Sequence, residues 1–222
     1  MKDSIEKYED TYKRYLGVSY ASSFWKGRVA LYAILKALGI GEGDEVLVEG
    51  FTCVVVPNAV IFAGAKPVYV PPDPKTYNMD ISQIESKITS KTKAIIVQHT
   101  FGLPSDMDST LDIAKRHNLR VIEDCAPALG ADYKGRKVGT FGDAAFFSSQ
   151  WSKVISTGLG GVAVTNDPEI GEAIENFKRE CLADDIVLCS VSLDKILPSS
   201  ITDAQVLCKI VSMPRTFIFF LL

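Results

Sequence analysis

The sequence has few of the residues that would indicate a metal site or a disulfide framework. Only two histidines occur among its 222 residues, His99 and His117, and no HExxH motif is present. The five cysteines form no CxxC pair, and their number is odd. We therefore predict no bound metal and no set of structural disulfides, and reduced thiols in a cytoplasmic protein are the simplest interpretation.

An excess of basic charge and a long apolar segment are also missing. Lys and Arg number 24 against 27 Asp and Glu, which gives a net charge of −3, whereas nucleic-acid-binding proteins are usually basic. The charged N-terminus has no apolar signal core, and the apolar run at residues 217–222 is far shorter than the ~20 residues of a membrane span. We expect neither nucleic acid nor a membrane as a partner. No GxGxxG or GxxxxGK[ST] motif occurs, so dinucleotide and P-loop sites lose their main support.

Composition changes near residue 180. All 16 glycines precede position 181, and residues 181–222 contain no Gly and no Glu but three of the five cysteines. A shift of this kind can mark a domain boundary or a foreign terminus. We predict a large domain over residues 1–180 and a divergent or truncated C-terminal segment over residues 181–222.

Helical and strand patterns alternate along the first 180 residues. Helices are predicted over residues 4–16, 27–38, 53–63, 81–88, 106–117 and 168–179, and strands over residues 45–48, 66–70, 94–97, 120–124, 143–148 and 161–165. The run at residues 94–97 (AIIV) has no polar alternation, as expected of a strand buried on both faces. The alternation predicts an α/β fold, a three-layer α/β/α arrangement with a mostly parallel sheet.

Ligands of such sheets bind beyond the carboxyl ends of the strands, so the residues that follow strands are the candidates. Asp124 ends one strand, where a carboxylate can hold a pyridinium nitrogen protonated or can cap the segment that follows. Lys153 follows another strand, among aromatic residues and before the turn GLGG at residues 158–161. A lysine there can form a Schiff base if it is partly desolvated, although most single lysines are ordinary surface residues. His99 also follows a strand, and a satisfied strand-end histidine is its simpler interpretation. His117 lies at a helix end, where a surface position is expected.

A phosphate site is the third candidate feature. Gly27 and Arg28 open a helix, whose free N–H groups and dipole favour an anion. The hydroxyl of Ser148, five residues before Lys153, could reach the same phosphate. The alternatives are that Gly27 only punctuates a loop and that Ser148 bonds to its own backbone.

Taken in order, these features resemble the DegT/StrS family of pyridoxal-phosphate aminotransferases, the sugar-aminotransferase branch of fold-type I. The similar blocks are residues 38–48 (LGIGEGDEVLV), 64–70 (GAKPVYV), 98–108 (QHTFGLPSDMD), 121–131 (VIEDCAPALGA), 138–143 (VGTFGD) and 158–161 (GLGG), with Ser148 and Lys153 between the last two. The resemblance covers about residues 17–180. It implies the large, cofactor-binding domain of a fold-type I transferase.

The resemblance also implies a role for each candidate residue. Lys153 matches the lysine that bonds to the cofactor and shuttles the proton, and Asp124 matches the partner of the pyridine nitrogen. Ser148 matches the phosphate-binding serine, and Gly27 and Arg28 occupy the place of the family's Gly-Thr, where Arg28 replaces the threonine and could still bind phosphate. Cys53 stands where an aromatic residue stacks on the ring. The implied reaction moves an amino group, usually from glutamate, to a keto-sugar nucleotide. Such enzymes build their sites at dimer interfaces, so we expect a homodimer.

Two alternatives stay open. Pro127 replaces a glutamine that contacts the ring oxygen, and Cys53 replaces the stacking aromatic residue, so the chain could be an inactive fragment or a cofactor-binding regulatory protein. Another fold-type I enzyme, such as an amino-acid aminotransferase or a lyase, would share the early parts of the site. The sequence PSDMD at residues 104–108 favours the sugar branch.

Overall fold

The structure, a computed structural model, describes residues 2–188. The helices in this range are α1 (Lys2–Leu16), α2 (Gly27–Ala37), α3 (Val55–Phe62), α4 (Ile81–Ile84), α5 (Met107–Arg116) and α6 (Pro168–Leu188). The strands are β1 (Tyr20–Phe24), β2 (Glu45–Glu49), β3 (Lys66–Val70), β4 (Thr92–Gln98), β5 (Arg120–Asp124), β6 (Asp132–Tyr133), β7 (Arg136–Lys137), β8 (Ala144–Ser148) and β9 (Gly161–Thr165).

Seven of these strands form one sheet in the order β1-β9-β8-β5-β4-β2-β3. Neighbours are parallel from β8 through β5, β4 and β2 to β3, while β9 runs antiparallel to both β1 and β8. Strands β6 and β7 pair separately as a short antiparallel ribbon. The predicted mostly parallel sheet is confirmed, and its parallel part places the carboxyl ends of β2, β4, β5 and β8 at one edge.

Helices cover both faces of the sheet. On one face, Tyr12 of α1 packs in a cluster with Phe147 of β8, and Ile84 of α4 and Met107 of α5 pack in a cluster with Ile95 of β4. On the other face, α2 lies against β8 and β9, and α3 lies against β2 and β3. The predicted three-layer α/β/α arrangement is therefore confirmed.

Four predicted helices differ from the structure by two or more residues at one end. The helix predicted from residue 4 begins at Lys2, and the helix predicted over residues 168–179 continues to Leu188. The helix predicted over residues 53–63 begins at Val55, because Pro57 has no N–H to donate to the carbonyl of Cys53 and can stand only in the first turn. The N–H of Val56 bonds to that carbonyl instead, at 2.9 Å. The helix predicted over residues 81–88 is α-helical only to Ile84 and continues as a 3₁₀ turn over Glu85–Lys87.

Strand β1 has no counterpart in the prediction. Its sequence, YASSF, carries only two buried side chains, Ala21 and Ser22, so no apolar alternation marks it. Its pairing with β9 supplies its backbone hydrogen bonds. A polar strand of this kind is defined by its neighbour rather than by its own side chains.

The chain divides after Ile174. Met1–Ile174 form one compact unit, and the second unit begins at Glu175, of which the structure describes the part up to Leu188. The division of domains at residue 180 stays a prediction, and most of the predicted segment 181–222 lies outside the described residues. Within residues 2–188, no helix has the length and apolar content that crossing a bilayer requires.

Candidate active site

A cleft of about 360 Å³ lies at the carboxyl edge of the parallel strands. All six residues predicted for the site line it: Gly27, Arg28, Cys53, Asp124, Ser148 and Lys153. They come from five separate segments of the chain. The fold thus brings the predicted residues to one place, as the rule for strand ends in α/β sheets requires.

Asp124 is the last residue of β5 and is 3% exposed. Its Oδ1 accepts a hydrogen bond from the N–H of Ala126 at 3.0 Å, and its Oδ2 has no hydrogen-bond partner among residues 2–188. The pKa of Asp124 is raised to about 6 by burial, which outweighs the opposing effects of the Ala126 N–H and the charge of Lys153. The carboxyl group therefore caps the following turn with one oxygen and keeps the other for a ligand, so both interpretations of this residue remain compatible with the geometry.

Lys153 lies in the turn that joins β8 to β9. Hydrogen bonds close this turn at its base, from Ser149 N to Gly160 O at 3.0 Å and from Trp151 N to Gly158 O at 3.2 Å. Lys153 N donates to the carbonyl of Gln150 at 2.8 Å. The Lys153 side chain is half-buried and lines the cleft, whereas Trp151 is 79% exposed.

The start of α2 meets the β8–β9 pair so closely that Gly161 has no room for a side chain and Gly27 has little. A Cβ on Gly27 would lie 3.0 Å from the Cβ of Ser148, and a Cβ on Gly161 would collide with the backbone of Lys26 and Gly27. The first N–H groups of α2 and the Ser148 hydroxyl thereby line the same end of the cleft. Such a helix start is suited to an anion, and we call this end, formed by Lys26, Gly27, Arg28 and Ser148, the anion cup.

Two cations belong to the anion cup. Arg28 was predicted, and Lys26, which the sequence reasoning missed, lines the cleft beside it. Burial lowers the pKa of both groups, and the Arg28 charge lowers that of Lys26 further. A bound anion would relieve both effects, because it supplies the opposite charge. The predicted alternative for Ser148, a bond to its own backbone, is present only as a long contact of 3.5 Å from Gln150 N.

Cys53 is exposed, lines the cleft and precedes α3 rather than lying within it. Its neighbour Thr52 donates a hydrogen bond to Gln98 Oε1 at 2.6 Å. Gln98, at the end of β4, was also missed. The available signal was a polar residue closing an otherwise apolar strand.

His99, Glu123 and Cys125 form a buried cluster whose ligand atoms lie within 4.8 Å of one another. Glu123 accepts hydrogen bonds from the N–H groups of Gly139, Phe141 and Gly142 and contacts His99 Nε2 at 3.0 Å. His99 Nδ1 accepts from Ser105 N at 3.1 Å, so Nε2 carries the proton. Burial raises the pKa of Cys125 well above its usual value. His99 and Glu123 are thus satisfied by hydrogen bonds in the core, which agrees with the simpler interpretation of His99.

His117 lies at the end of α5, and its Nε2 contacts Glu85 Oε1 at 2.8 Å on the surface. The structure therefore places His117 at the surface, as expected. The prediction of no bound metal stays a prediction.

The groups along the cleft suit a flat, phosphate-bearing pyridine. The anion cup offers amides, a hydroxyl and two cations for a phosphate. For a protonated ring nitrogen, Asp124 offers a buried carboxylate oxygen that has no hydrogen-bond partner in the described part of the chain, and Lys153 offers a primary amine in the same cleft. This three-layer fold with this set of groups defines the class of fold-type I pyridoxal-phosphate-dependent transferases.

Comparison with known proteins gives the particular family. Residues 1–187 match the DegT/DnrJ/EryC1/StrS aminotransferase family, and the chain belongs to it. The GDP-perosamine synthase of Escherichia coli O157:H7 is 47% identical over 179 residues, which are 81% of this chain and 49% of that protein. The chain therefore spans about half the length of the curated relatives it matches.

Solved structures agree with this assignment. An aminotransferase from Psychrobacter cryohalolentis superposes with a TM-score of 0.78 at 34% identity, over 87% of this chain and 49% of the other. NtdA from Bacillus subtilis, solved with its bound cofactor PMP, gives a TM-score of 0.75 at 31% identity, over 78% and 39% of the two chains. The family's aminotransferases depend on pyridoxal phosphate, so the predicted fold-type I architecture and the predicted cofactor are confirmed at the level of the family.

Proposed function

We propose that residues 1–180 are the cofactor-binding domain of a pyridoxal-phosphate-dependent aminotransferase. The observation that carries this proposal is the meeting of Asp124, Lys153 and the anion cup in one cleft. Pyridoxal phosphate, when bound, supplies a ring that draws electron density from the bonds of an attached amine.

Each residue contributes one physical effect. The α2 amides, Arg28 and the Ser148 hydroxyl would hold the phosphate by hydrogen bonds and charge. Asp124 would keep a proton on the ring nitrogen, because a buried carboxylate beside a pyridinium favours the charged ring. Lys153 Nζ would hold the cofactor's aldehyde carbon by condensation with loss of water and, once the substrate amine has displaced it, would be free to move a proton at the substrate carbon. Cys53 would pack against the ring face.

The substrates we propose are glutamate as the amino donor and a keto-sugar nucleotide as the acceptor. The support for the acceptor is the name of the E. coli relative, a GDP-perosamine synthase, together with the PSDMD block at residues 104–108. We further propose that the protein works in the cytoplasm as a homodimer. The exposed apolar side chains near the cleft, of which Phe101 is 78% exposed, support a partner there.

The decisive experiment is cofactor uptake by wild type and Lys153→Ala. Wild type with added pyridoxal phosphate should gain a visible absorption band, and borohydride should fix the cofactor onto the peptide that contains Lys153. Lys153→Ala should show neither, because it has no amine at that position. Lys75→Ala, at an exposed loop lysine, is the matched control and should behave as wild type. Absence of the band in folded wild type would refute the proposal.

A second function is favoured by two residues of the cleft. Pro127 offers no side-chain hydrogen bond, and Cys53 stacks less well than an aromatic ring. A cofactor-binding regulatory protein without turnover would tolerate both. Measurable amino transfer from glutamate to a keto-sugar nucleotide excludes this alternative, whereas cofactor binding without transfer supports it.

A further inference from the structure

In the wall of the cleft, both the oxygen and the nitrogen of the Gln98 side-chain amide form hydrogen bonds, two of them to the segment at Phe51 and Thr52. Its Oε1 accepts from Thr52 Oγ1 at 2.6 Å, and its Nε2 donates to the carbonyl of Phe51 at 3.0 Å and to Thr100 Oγ1 at 2.9 Å. The Phe51 carbonyl can only accept, so it fixes which end of the amide faces it. Gln98 is 9% exposed, and these bonds are therefore shielded from water.

Thr100 links Gln98 to a buried carboxyl group, that of Glu49. Its Oγ1 lies 3.1 Å from the carbonyl of Tyr77 and 3.4 Å from each carboxyl oxygen of Glu49. The hydroxyl has one proton and already accepts from Gln98, so it cannot donate to both of these acceptors. Every group has a hydrogen-bond partner when Glu49 is protonated. The Glu49 carboxyl group then donates to Thr100 Oγ1, and the Thr100 hydroxyl donates to the carbonyl of Tyr77.

The burial of Glu49 fits this arrangement. Glu49 ends β2 and is 2% exposed. Its pKa is raised to about 8, chiefly by burial and also by the charge of Asp124 on β5. A hydrogen bond donated by Thr100 to the ionised carboxylate lowers the pKa, but by less than burial raises it. Asp124 is the charged group that acts on Glu49 within residues 2–188, and its sign favours the protonated form.

We propose that Gln98 is a positioning residue which, backed by Thr100 and Glu49, clamps the Phe51–Cys53 segment against the face of the cofactor cleft. We call Thr52, Gln98, Thr100 and Glu49 the Gln98 clamp. The inference rests on the proposed function, because the segment it holds carries Cys53, the residue assigned to the ring face. The clamp itself is a property of the cofactor-free chain.

Hydrogen exchange of the cofactor-free protein, followed by mass spectrometry, tests the clamp directly. Gln98→Met keeps the length of the side chain but removes all three bonds. Peptides covering residues 50–56 should then exchange about tenfold faster, since each lost hydrogen bond weakens local protection. Thr52→Val, which loses only one bond, should give a smaller rise of about threefold.

Matched controls separate local loosening from misfolding. Gln83→Met makes the same change at an exposed position of α4 and should leave residues 50–56 unchanged. Peptides over β5 should exchange as in wild type in every variant that supports the clamp. If Gln98→Met raises hydrogen exchange in every peptide, that variant is destabilised as a whole. The milder Thr52→Val then serves as the test of the clamp. Unchanged exchange of residues 50–56 in folded Gln98→Met, or in Thr52→Val, overturns the proposal.

The part assigned to Glu49 has its own readout. Glu49→Gln keeps a neutral donor toward Thr100 at every pH, whereas wild-type Glu49 loses its proton above about pH 8. The exchange rate of residues 50–56 in wild type, divided by that in Glu49→Gln at the same pH, should therefore rise between pH 7 and pH 9. A ratio that stays flat removes Glu49 from the clamp.

The cofactor supplies a separate measurement. If the clamp positions the ring face, Gln98→Met should weaken the binding of pyridoxal phosphate about fivefold or more while the protein stays folded, since the loosened segment must be reordered on binding. Unchanged affinity together with faster exchange would mean that the clamp holds the segment without serving the cofactor, which overturns the positioning role. If wild type takes up no pyridoxal phosphate, the proposed function fails, but the exchange comparison still decides whether the clamp exists.

Discussion

At the scale of single residues, two buried carboxyl groups near the cleft differ in charge at neutral pH. The pKa of Asp124 is raised to about 6 and that of Glu49 to about 8. At pH 7 Asp124 is therefore mostly ionised, whereas Glu49 is mostly protonated. Only Asp124 can then balance a protonated ring nitrogen, and Glu49 is left as a hydrogen-bond donor. The two carboxyl groups differ in role because their surroundings raise their pKa values to different extents.

Asp124→Asn should separate stability from cofactor binding. The folded state raises the pKa of Asp124 from 3.8 to about 6, so it binds more protons than the unfolded state between these values. The wild-type free energy of unfolding should accordingly fall as pH rises through this window, by about 3 kcal/mol. The stability of Asp124→Asn relative to wild type should grow by most of that amount, roughly 2.4 kcal/mol, between pH 4 and pH 7.

Denaturant unfolding of the cofactor-free proteins at the two pH values measures this difference, with Asp112→Asn at an exposed position of α5 as the control. The same Asp124→Asn substitution should weaken pyridoxal-phosphate binding about tenfold or more, because a charge-assisted bond is lost. A pH-independent difference in stability would contradict the assigned burial of the carboxyl group.

At the scale of elements, the anion cup depends on contact between α2 and the β8–β9 pair. Gly161 opens β9 opposite Ser148 of β8, and its Cα faces the backbone of Lys26 and Gly27 without room for a methyl group. The reversed direction of β9 therefore allows a single tight contact to join the start of a helix, the end of one strand and the beginning of the next.

Gly161→Ala should damage the anion cup and the fold together. The added methyl group must push α2 away from β9, which we expect to cost about 2 kcal/mol or more of stability and to weaken binding of inorganic phosphate and of pyridoxal phosphate. Gly41→Ala is the control, because its Cβ would meet only the Ala63 carbonyl, at 3.7 Å. Thermal unfolding and cofactor titration of the two variants provide the comparison, and wild-type behaviour of Gly161→Ala would show that the contact is not required.

The elements that could be predicted from the sequence were those with strong patterns of their own. The apolar strand around Ile95 and the helix that opens at Gly27 were predicted because burial and helix-forming residues mark them. Strand β1 could not be, since its pairing with β9 defines it. Among site residues, Asp124 and Ser148 end strands and Lys153 follows one, and this position made them candidates. Gln98 was missed, because its function arises from partners on two other segments.

At the scale of the whole molecule, apolar side chains stand exposed around the cleft. Trp151 and Val154, in the turn that carries Lys153, are 79% and 61% exposed, and Phe101 is 78% exposed. Phe101 has a positive φ of 55°, which is an unfavourable conformation for a bulky side chain. Exposed apolar groups gathered at a site usually mark a surface that binds a partner, and the proposed homodimer would supply one.

Trp151→Lys should shift the proposed dimer toward the monomer. A lysine cannot be buried in an apolar interface without a compensating charge, so the dimer dissociation constant should rise about tenfold or more. Sedimentation velocity over a concentration series measures it. Tyr69→Lys, at a side chain 51% exposed on β3, is the control. A wild-type protein that stays monomeric at high concentration would remove the dimer from the proposal.

The contact between Gly27 and Gly161 also has a consequence for synthesis. Gly27 leaves the ribosome early, whereas Ser148 and Gly161 follow only after most of the sheet has been translated, at roughly 5–20 residues per second. A growing chain therefore has no anion cup until its last central strands are in place. A ligand that binds only the native state stabilises that state. In the cell, cofactor binding would therefore stabilise chains whose sheet is complete and would leave incomplete chains unstabilised.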